Sequence, residues 1–167
     1  MSADSSETGH RSQRQASLSG GESADELLVD QDSGAEPVLS VVMPTLNEEE
    51  GIRVCIEKVK RAIEELQLSA EIVISDSSTD RTPEIARQLG AIVVEPDESG
   101  YGNAYKYAFE RARGEYVAIG DADTTYDFEE LPKLIDRIYE EDVDMVLGSR
   151  LAGEIKPGAM PPLHQYV

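Results

Sequence analysis

The sequence predicts an α/β protein in which a mostly parallel sheet is covered by helices on both faces. Two observations support this fold class. Five short apolar segments alternate with four segments whose apolar residues recur at helical spacing, which is the pattern of repeated strand–helix–strand units. The strand segments are largely apolar rather than alternating, as expected for strands buried on both faces. The 167 residues are enough for one domain with its own core.

Local signals set the predicted boundaries of these elements. The first strand ends at Pro44, a residue that cannot continue a central strand, so we expect the chain to leave the sheet there at an edge. Pro83 suits the first turn of a helix, and Gly90 and Gly114 suit positions just past helix ends. In chain order, the predicted elements are strand 38–43, helix 49–68, strand 71–75, helix 83–89, strand 91–95, helix 103–113, strand 115–120, helix 128–140 and strand 143–147.

Three regions of different composition follow one another along the chain. Residues 1–36 are rich in Ser, Gly and acids and poor in apolar side chains, so they are predicted to form a disordered acidic tail. Residues 37–150 hold the alternating elements and form the predicted core. Residues 151–167 contain three prolines, two glycines and no regular element. We interpret this last region as the irregular start of a part of the fold that the chain does not complete.

Composition limits the partners and the compartment. The net charge of −19 predicts repulsion of nucleic acid, so no nucleic-acid partner is expected. A pervasive acidic surface also fits a halophilic protein, which we keep as a hypothesis. Cys55 is the only cysteine, and we expect it to pack in the core on the apolar face of helix 49–68. No signal region or apolar run of about 20 residues is present, which predicts a cytoplasmic chain without a transmembrane segment.

The most informative motif is the Asp-x-Asp (DXD) pair Asp121-Ala122-Asp123, directly after the predicted strand 115–120. Two carboxylates one residue apart at the carboxyl end of a strand offer hard oxygen ligands for Mg²⁺ or Mn²⁺. Such a site typically holds a diphosphate through the metal. The alternative is that one Asp caps the following helix, although Asp127 is nearer to it.

Two further polar clusters follow the first two strands. Pro44, Thr45, Asn47 and Glu48 come after strand 38–43, where their side chains would lie at the mouth of a pocket. Asn47 could instead cap helix 49–68, with Glu50 three residues later in a capping box. The second cluster, residues 75–82, comes at the end of strand 71–75, and in it Asp76 could accept hydrogen bonds from a base or a ribose. Asp80 and Thr82 are expected to begin the next helix.

The remaining clusters follow the third and fifth predicted strands. Gly100 and Gly102 would let the backbone approach a ligand at a helix start, where an anion is favoured, and Asn103 follows them. The spacing lacks the third glycine of a dinucleotide fingerprint. Arg150 can neutralise a phosphate with two hydrogen bonds, and its alternative role is a surface ion pair.

Taken in order, these segments resemble the family 2 glycosyltransferases of the GT-A fold, and most closely the polyprenyl- (dolichyl-) phosphate mannose or glucose synthases. The matching segments are 41–48, 76–80, 100–105, 119–123 and 148–150. One departure is Ser75, which stands where the family often has a second acid beside Asp76. The family's domain also continues past residue 167, so the chain is expected to be C-terminally truncated before most of the acceptor-binding region.

The resemblance implies a role for each cluster. The nucleotide pocket would be lined by Pro44, Thr45, Asn47, Glu48 and Asp76. Asp121 and Asp123, with Ala122 between them, would bind the sugar-nucleotide diphosphate through Mg²⁺ or Mn²⁺. The wall beside the diphosphate would be shaped by Gly100, Gly102 and Asn103. Arg150 would face the phosphates of the donor or the acceptor phosphate, and with the two aspartates it completes the predicted catalytic set.

The implied reaction moves a hexose from a nucleoside-diphosphate sugar to an acceptor, by inverting displacement. The expected acceptor is a polyprenyl (dolichyl) phosphate, which would bring the enzyme to the cytoplasmic face of the membrane. One alternative is a non-catalytic sugar-nucleotide-binding module. Another is a haloacid-dehalogenase-like phosphatase, because residues 121–125 fit its Asp-x-Asp-x-Thr pattern, although that motif normally follows the first strand.

Overall fold

The computed structural model of the chain describes residues 21–141 and 143–149, and it divides the chain into two compact units, before and after Pro132. The first unit holds the sheet. The elements, in chain order, are α1 (Ala24–Leu27), β1 (Leu39–Thr45), α2 (Ile52–Leu66), β2 (Ala70–Asp76), α3 (Thr82–Gln88), β3 (Ile92–Val94), α4 (Tyr101–Phe109), β4 (Tyr116–Ile119), a 3₁₀-helix (Phe128–Glu130) and α5 (Leu131–Glu141). Helix α5 begins just before Pro132 and runs past it.

The four strands form one parallel sheet in the order β3-β2-β1-β4. The inner strands β1 and β2 are almost completely buried, and their carboxyl ends are aligned, with Thr45 opposite Asp76. Strand β4 pairs with β1 only as far as Ile119, opposite Val42. The predicted parallel sheet is confirmed.

Helices cover both faces of this sheet, as predicted. The chain steps from β1 to β2 to β3 in one direction and then returns to place β4 on the other side of β1. Because crossover connections are right-handed, α2 and α3 lie on one face and α4 lies on the other. On the α4 face, Ala108 packs against Val42 and Val73. The order of the strands reverses between β1 and β4, which is where ligands bind in open sheets of this type.

Helix α2 carries the main core contacts on its own face. Its buried residues recur at helical spacing and are Ile52, Cys55, Ile56, Val59, Ala62, Ile63 and Leu66. Cys55 is therefore a core residue, as expected from the sequence. The helix ends at Gln67, which takes the left-handed conformation with φ 51°.

Pro44 does not end β1, and this expectation from the sequence is wrong. The strand runs to Thr45, and Pro44 pairs in register with Ser75 of β2. In a parallel strand, alternate residues direct their backbone hydrogen bonds to opposite neighbours. The carbonyl of Thr45 bonds toward β2 and that of Val42 bonds toward β4, so Pro44 faces the β4 side. There the pairing stops at Val42, and the missing N–H of proline removes no hydrogen bond.

The expected disorder of residues 1–36 does not extend to residues 21–36. Ser23 and Glu26 form a capping box that starts α1, and Ala24 and Leu27 are buried. Helix α1 packs against α2, where Lys60 binds Asp25 at 2.6 Å. The N–H of Val29 then donates to the carbonyl of Ala70 at the start of β2. Composition misled here because a cap, two buried side chains and a few specific hydrogen bonds order a segment that is otherwise polar.

The chain after β4 also differs from expectation. The predicted helix 128–140 is a 3₁₀-helix followed by α5. The predicted strand 143–147 is absent, because residues 143–149 form no strand in the structure. A run of apolar residues makes a strand only when it finds a hydrogen-bonding neighbour. Arg150 and residues 151–167 lie outside the described residues. Within residues 21–141 and 143–149, no helix is long and apolar enough to cross a membrane.

Candidate active site

A cleft of about 300 Å³ opens at the carboxyl ends of β1 and β4, at the point where the strand order reverses. It brings together seven of the residues to which the sequence analysis gave a role, and adds four that lie in the matching segments but were given none. The predicted residues are Pro44, Thr45, Glu48, Gly100, Asp121, Ala122 and Asp123, and the additional ones are Leu46, Ser77, Tyr101 and Ala104.

Asp123 is held by its own loop. Its Oδ1 accepts hydrogen bonds from the backbone N–H of Thr125 at 3.0 Å and from the hydroxyl of Thr125 at 2.6 Å. Thr124 between them has φ 65°, a left-handed conformation that a threonine seldom adopts. Ala122 is buried. This tight turn holds the carboxylate of Asp123 at the exposed rim of the cleft, with Ala122 as its anchor.

The first turns of helix α2 and the residue before it contact this loop. Gly51, just before the helix, leaves room for the loop, since a Cβ there would lie 2.9 Å from the carbonyl oxygen of Ala122. The buried thiol of Cys55 lies beside the backbone of Thr124, and burial raises the pKa of that thiol. Farther along the helix, Lys58 binds Asp127 at 3.0 Å. The Asp-x-Asp loop is thus built on one rigid helix.

Asp121 is held differently, by two tyrosines that the sequence analysis did not assign to the site. The phenols of Tyr101 and Tyr105 donate to Oδ1 of Asp121 at 2.7 and 3.2 Å. The hydrogen bond to Asp121 raises the pKa of Tyr101, and burial is the main cause of the raised pKa of Tyr105. Both phenols therefore stay protonated donors near neutral pH. A sequence signal existed: the two tyrosines are four residues apart, on one face of a helix.

The ends of β1 and β2 are joined by side chains. The hydroxyl of Thr45 donates to Oδ1 of Asp76 at 2.6 Å, and the hydroxyl of Ser78 donates to the same oxygen at 2.6 Å. The side-chain oxygen of Asn47 accepts from the N–H of Thr79 at 2.9 Å. Asn47 takes a left-handed conformation, with φ 59°. These contacts fix the turn after β1 against the turn after β2.

The helix-cap alternative for Asn47 is wrong. Helix α2 begins at Ile52, its N-cap is Gly51, and its first turn receives no side-chain cap. The expectation for Asp80 is confirmed, since its Oδ1 accepts from the N–H of Thr82 at 2.9 Å at the start of α3.

Negative charges gather near Glu48. Partial burial is the main cause of its raised pKa, and the charges of Asp123, Asp80 and Asp121 raise it further. The N–H of Glu48 also donates to the hydroxyl of Thr82 at 2.8 Å. A cleft that concentrates carboxylates in this way favours a cation.

Four of the predicted residues that the structure describes do not line the cleft. Asp76 is buried, and with Arg87 and Glu95 it lines a neighbouring recess of about 400 Å³. Ser77 lines both this recess and the cleft. Asn47 holds the turn described above. Asn103 donates to the carbonyl of Ser99 at 3.2 Å and to Glu98 at 3.3 Å. A Cβ on Gly102 would meet open space.

Ser75, the departure from the family pattern, is fully buried. Its hydroxyl has no hydrogen-bond partner within the part of the chain that the structure describes. It lies one residue before Asp76, but its burial keeps it from the surface of the cleft. Only Asp76 of this pair can reach the neighbouring recess.

Comparison with known proteins identifies a family and several relatives. The model of glycosyl transferase family 2 matches residues 40–166. The low-salt glycan biosynthesis hexosyltransferase Agl6 of Haloferax volcanii is 66% identical over 145 residues, which are 87% of this chain and 35% of that protein. The dolichyl-phosphate hexose transferase of the same organism is 42% identical over 113 residues, 68% of this chain and 48% of that protein. The chain therefore spans about a third to a half of these relatives.

A solved structure extends the likeness to the fold. Glucosyl-3-phosphoglycerate synthase from Mycobacterium tuberculosis, in complex with Mn²⁺, uridine diphosphate and glucosyl-3-phosphoglycerate, superposes with a TM-score of 0.53 at 27% identity. The match covers 72% of this chain and 45% of that one. The resemblance deduced from the five sequence segments is confirmed, as is the GT-A fold.

Proposed function

The chain belongs to glycosyl transferase family 2, and from that membership we propose that it transfers a hexose from a nucleoside-diphosphate sugar. The observation that carries the proposal is the cleft between β1 and β4. Thr45 and Glu48 line it at the end of β1, and Asp121 and Asp123 line it after the end of β4. This cleft is where an open parallel sheet binds ligands.

The two aspartates suit a divalent metal that is completed by substrate. Among the described residues, no group of three or more His, Cys, Asp or Glu side chains could enclose an ion without help. Mg²⁺ and Mn²⁺ commonly bind through one or two carboxylates together with substrate phosphates. Asp121 and Asp123 would hold the ion. When bound, it would stabilise the negative charge of the departing diphosphate.

The rest of the proposed nucleotide site lies around this pair. Pro44, Thr45 and Glu48 would contact the nucleoside from the end of β1. Asn47 and Asp76 would act by holding the adjoining turns, and Asp76 would also border the neighbouring recess, where a base or ribose would bind. Gly100, with φ 127°, would let the backbone come close to the diphosphate. Gly102 and Asn103 would shape the wall, and Arg150 would neutralise phosphate charge.

We propose a polyprenyl (dolichyl) phosphate as the acceptor. The relative that is named a dolichyl-phosphate hexose transferase supports this choice. An oxygen of the acceptor phosphate would attack the anomeric carbon from the face opposite the diphosphate. The bond between that carbon and the diphosphate oxygen would break, and the configuration would invert. A phosphate is already anionic near neutral pH, so the cleft need not supply a strong general base.

The test is transfer from a panel of UDP- and GDP-hexoses to dolichyl phosphate, with Mn²⁺, with Mg²⁺ and with chelator, in molar KCl. We expect a metal-dependent lipid-linked hexose of inverted anomeric configuration, identified by NMR. Binding of the sugar nucleotide without any transfer would favour the non-catalytic binding module. Failure to bind any sugar nucleotide would overturn the proposal. Trapping of an aspartyl-phosphate on Asp121 would instead support the phosphatase alternative.

A further inference from the structure

Three aromatic side chains form a row along one face of α4, and the row begins at the cleft with Tyr101. Tyr101, Tyr105 and Phe109 are spaced by four residues, so they share one helix face. The rings of Tyr101 and Tyr105 meet edge to face with centroids 5.1 Å apart, and the rings of Tyr105 and Phe109 stack at 5.6 Å. The two phenols at the start of the row converge on one oxygen, Oδ1 of Asp121.

The row ties the aspartate to the hydrophobic core. Tyr105 packs against the cluster of Val42, Val73 and Ala108, so its ring is held by the sheet. Tyr101 is 63% exposed and lines the cleft as the first residue of the helix, just after Gly100. One phenol is thus anchored in the core, and the other lies where a bound substrate would pass.

Resting on the proposed metal-dependent function, we propose that Tyr101 and Tyr105 are positioning residues that fix the carboxylate of Asp121 for the metal. Both phenols occupy Oδ1, and Oδ2 receives no hydrogen bond from the described residues. Oδ2 is therefore the oxygen that the metal can use. The two carboxylates of the motif are held by independent means, Asp123 by Thr125 of its own loop and Asp121 by a helix 20 residues away.

Removing these donors loosens the rotamer of Asp121 and weakens metal capture. Groups that orient a metal ligand typically change metal affinity by about 10- to 100-fold when they are removed. The test uses Tyr101→Phe, Tyr105→Phe and the double variant, which keep the rings and remove only the phenol oxygens. The matched control is Tyr107→Phe on the same helix, whose ring lies under the guanidinium of Arg111 at 3.2 Å and away from the row.

The readout is the dissociation constant of Mn²⁺, measured by electron paramagnetic resonance of the free ion, alone and with UDP or GDP. Thermal unfolding of the metal-free variants checks the fold. We expect about tenfold weaker Mn²⁺ binding in the double variant, a smaller loss in each single variant and none in Tyr107→Phe. The midpoints of thermal unfolding of the variants should stay close together. If the tyrosines had a purely structural role, the midpoints would fall and the Mn²⁺ dissociation constant would not change. If the double variant does not fold, the Mn²⁺ dissociation constant of Tyr101→Phe, a change at an exposed side chain, decides whether the proposal holds.

Repeating the double change in an Asp121→Asn background separates this inference from the proposed function. We expect no further loss there, because the tyrosines act through Asp121. Unchanged Mn²⁺ affinity in Asp121→Asn itself would remove the metal assignment. Weaker binding in Asp121→Asn together with unchanged binding in the double tyrosine variant would overturn this inference alone. An equal loss in both backgrounds would also overturn it, since the effect would not pass through Asp121.

Discussion

Arg113 and Glu71 form an ion pair at the amino-terminal end of the sheet, the end opposite to the cleft. Nη2 and Nε of Arg113 lie 2.8 and 2.9 Å from Oε2 of Glu71, whose side chain is completely buried. The other oxygen, Oε1, accepts from the hydroxyl of Ser40 at 2.6 Å and from the backbone of Arg113 at 2.7 Å. The guanidinium also donates to the carbonyls of Ser33 and Asp30. One buried carboxylate thus joins the sheet, the chain after α4 and the N-terminal segment.

Replacing Arg113 with Ala should destabilise the protein strongly, because it leaves the charge of Glu71 buried without its partner. We expect a loss of about 3 kcal/mol in the free energy of unfolding, the low end of the usual range because the Arg113 side chain is partly exposed. Urea unfolding in molar KCl measures it. The control Arg111→Ala, at an exposed cation–π contact with Tyr107, should cost less than about 1 kcal/mol. Equal losses in the two variants would contradict the assigned importance of the pair.

Glu48→Gln should raise the thermal midpoint at neutral pH. The folded-state pKa of Glu48 is raised, mainly by burial and then by Asp123, Asp80 and Asp121. Its neutral form therefore favours the fold below the pKa of unfolded glutamate, about 4.3, and this stability is lost as the pH rises through the raised folded pKa. Gln mimics the neutral form, so its advantage should be present near pH 7 and vanish near about pH 4.

The measurement is a pair of thermal melts with chelator present, and the control is Glu50→Gln, at an exposed glutamate two residues farther along the chain. A stabilisation by Glu48→Gln that persists unchanged into acid would show that the cause is not ionisation.

Gly51→Ala should disturb the Asp-x-Asp loop, because Gly51 lies directly against it. The new Cβ would lie 2.9 Å from the carbonyl oxygen of Ala122 and 3.3 Å from Cγ2 of Thr124. Relief requires movement of backbone, and we expect a loss of about 1–3 kcal/mol in stability. Gly102→Ala is the matched control, since its Cβ meets open space within α4 and alanine should stabilise the helix by about 0.5–1 kcal/mol. Chemical unfolding of both variants checks the opposite signs.

Low salt should loosen the fold. The net charge is −19, and a relative of 66% identity comes from Haloferax volcanii. Screening extends over only about 3 Å at 1 M salt but about 30 Å at 0.01 M, so acidic side chains repel one another much more in dilute buffer. We expect the thermal midpoint to fall steadily as KCl is removed. A midpoint that does not depend on salt would remove the halophile hypothesis.

The sequence was informative wherever the deciding interactions are local. Apolar runs located four strands and the main helices, because burial on both faces leaves a continuous apolar signal. It failed where a partner far along the chain decides. Pro44 is tolerated in a central strand only because β4 stops pairing at Val42, and the apolar run 143–147 forms no strand with any of the residues that the structure describes.

In the candidate site, too, the local features were predicted from the sequence and the contacts between distant residues were not. The Asp pair and the turn after β1 are short motifs, and both were noticed because they directly follow predicted strands. The tyrosines that hold Asp121 were missed because the contact joins a helix to a loop 16 to 20 residues away. Periodicity assigns Tyr105 to the core, and that is where its ring packs. Its phenol, however, reaches the site, which no pattern of apolar residues encodes.

The most direct test of the metal-dependent donor site is calorimetric binding of UDP- and GDP-hexoses to the chain and to Asp123→Asn, with Mn²⁺ and with chelator. Asp32→Asn, an exposed substitution of the same charge in the N-terminal segment, is the control. We expect the unaltered chain and the control to bind a sugar nucleotide at least about tenfold more tightly with Mn²⁺, and Asp123→Asn to lose that gain. Equal affinity in Asp123→Asn and the unaltered chain, with and without Mn²⁺, would contradict the proposed site.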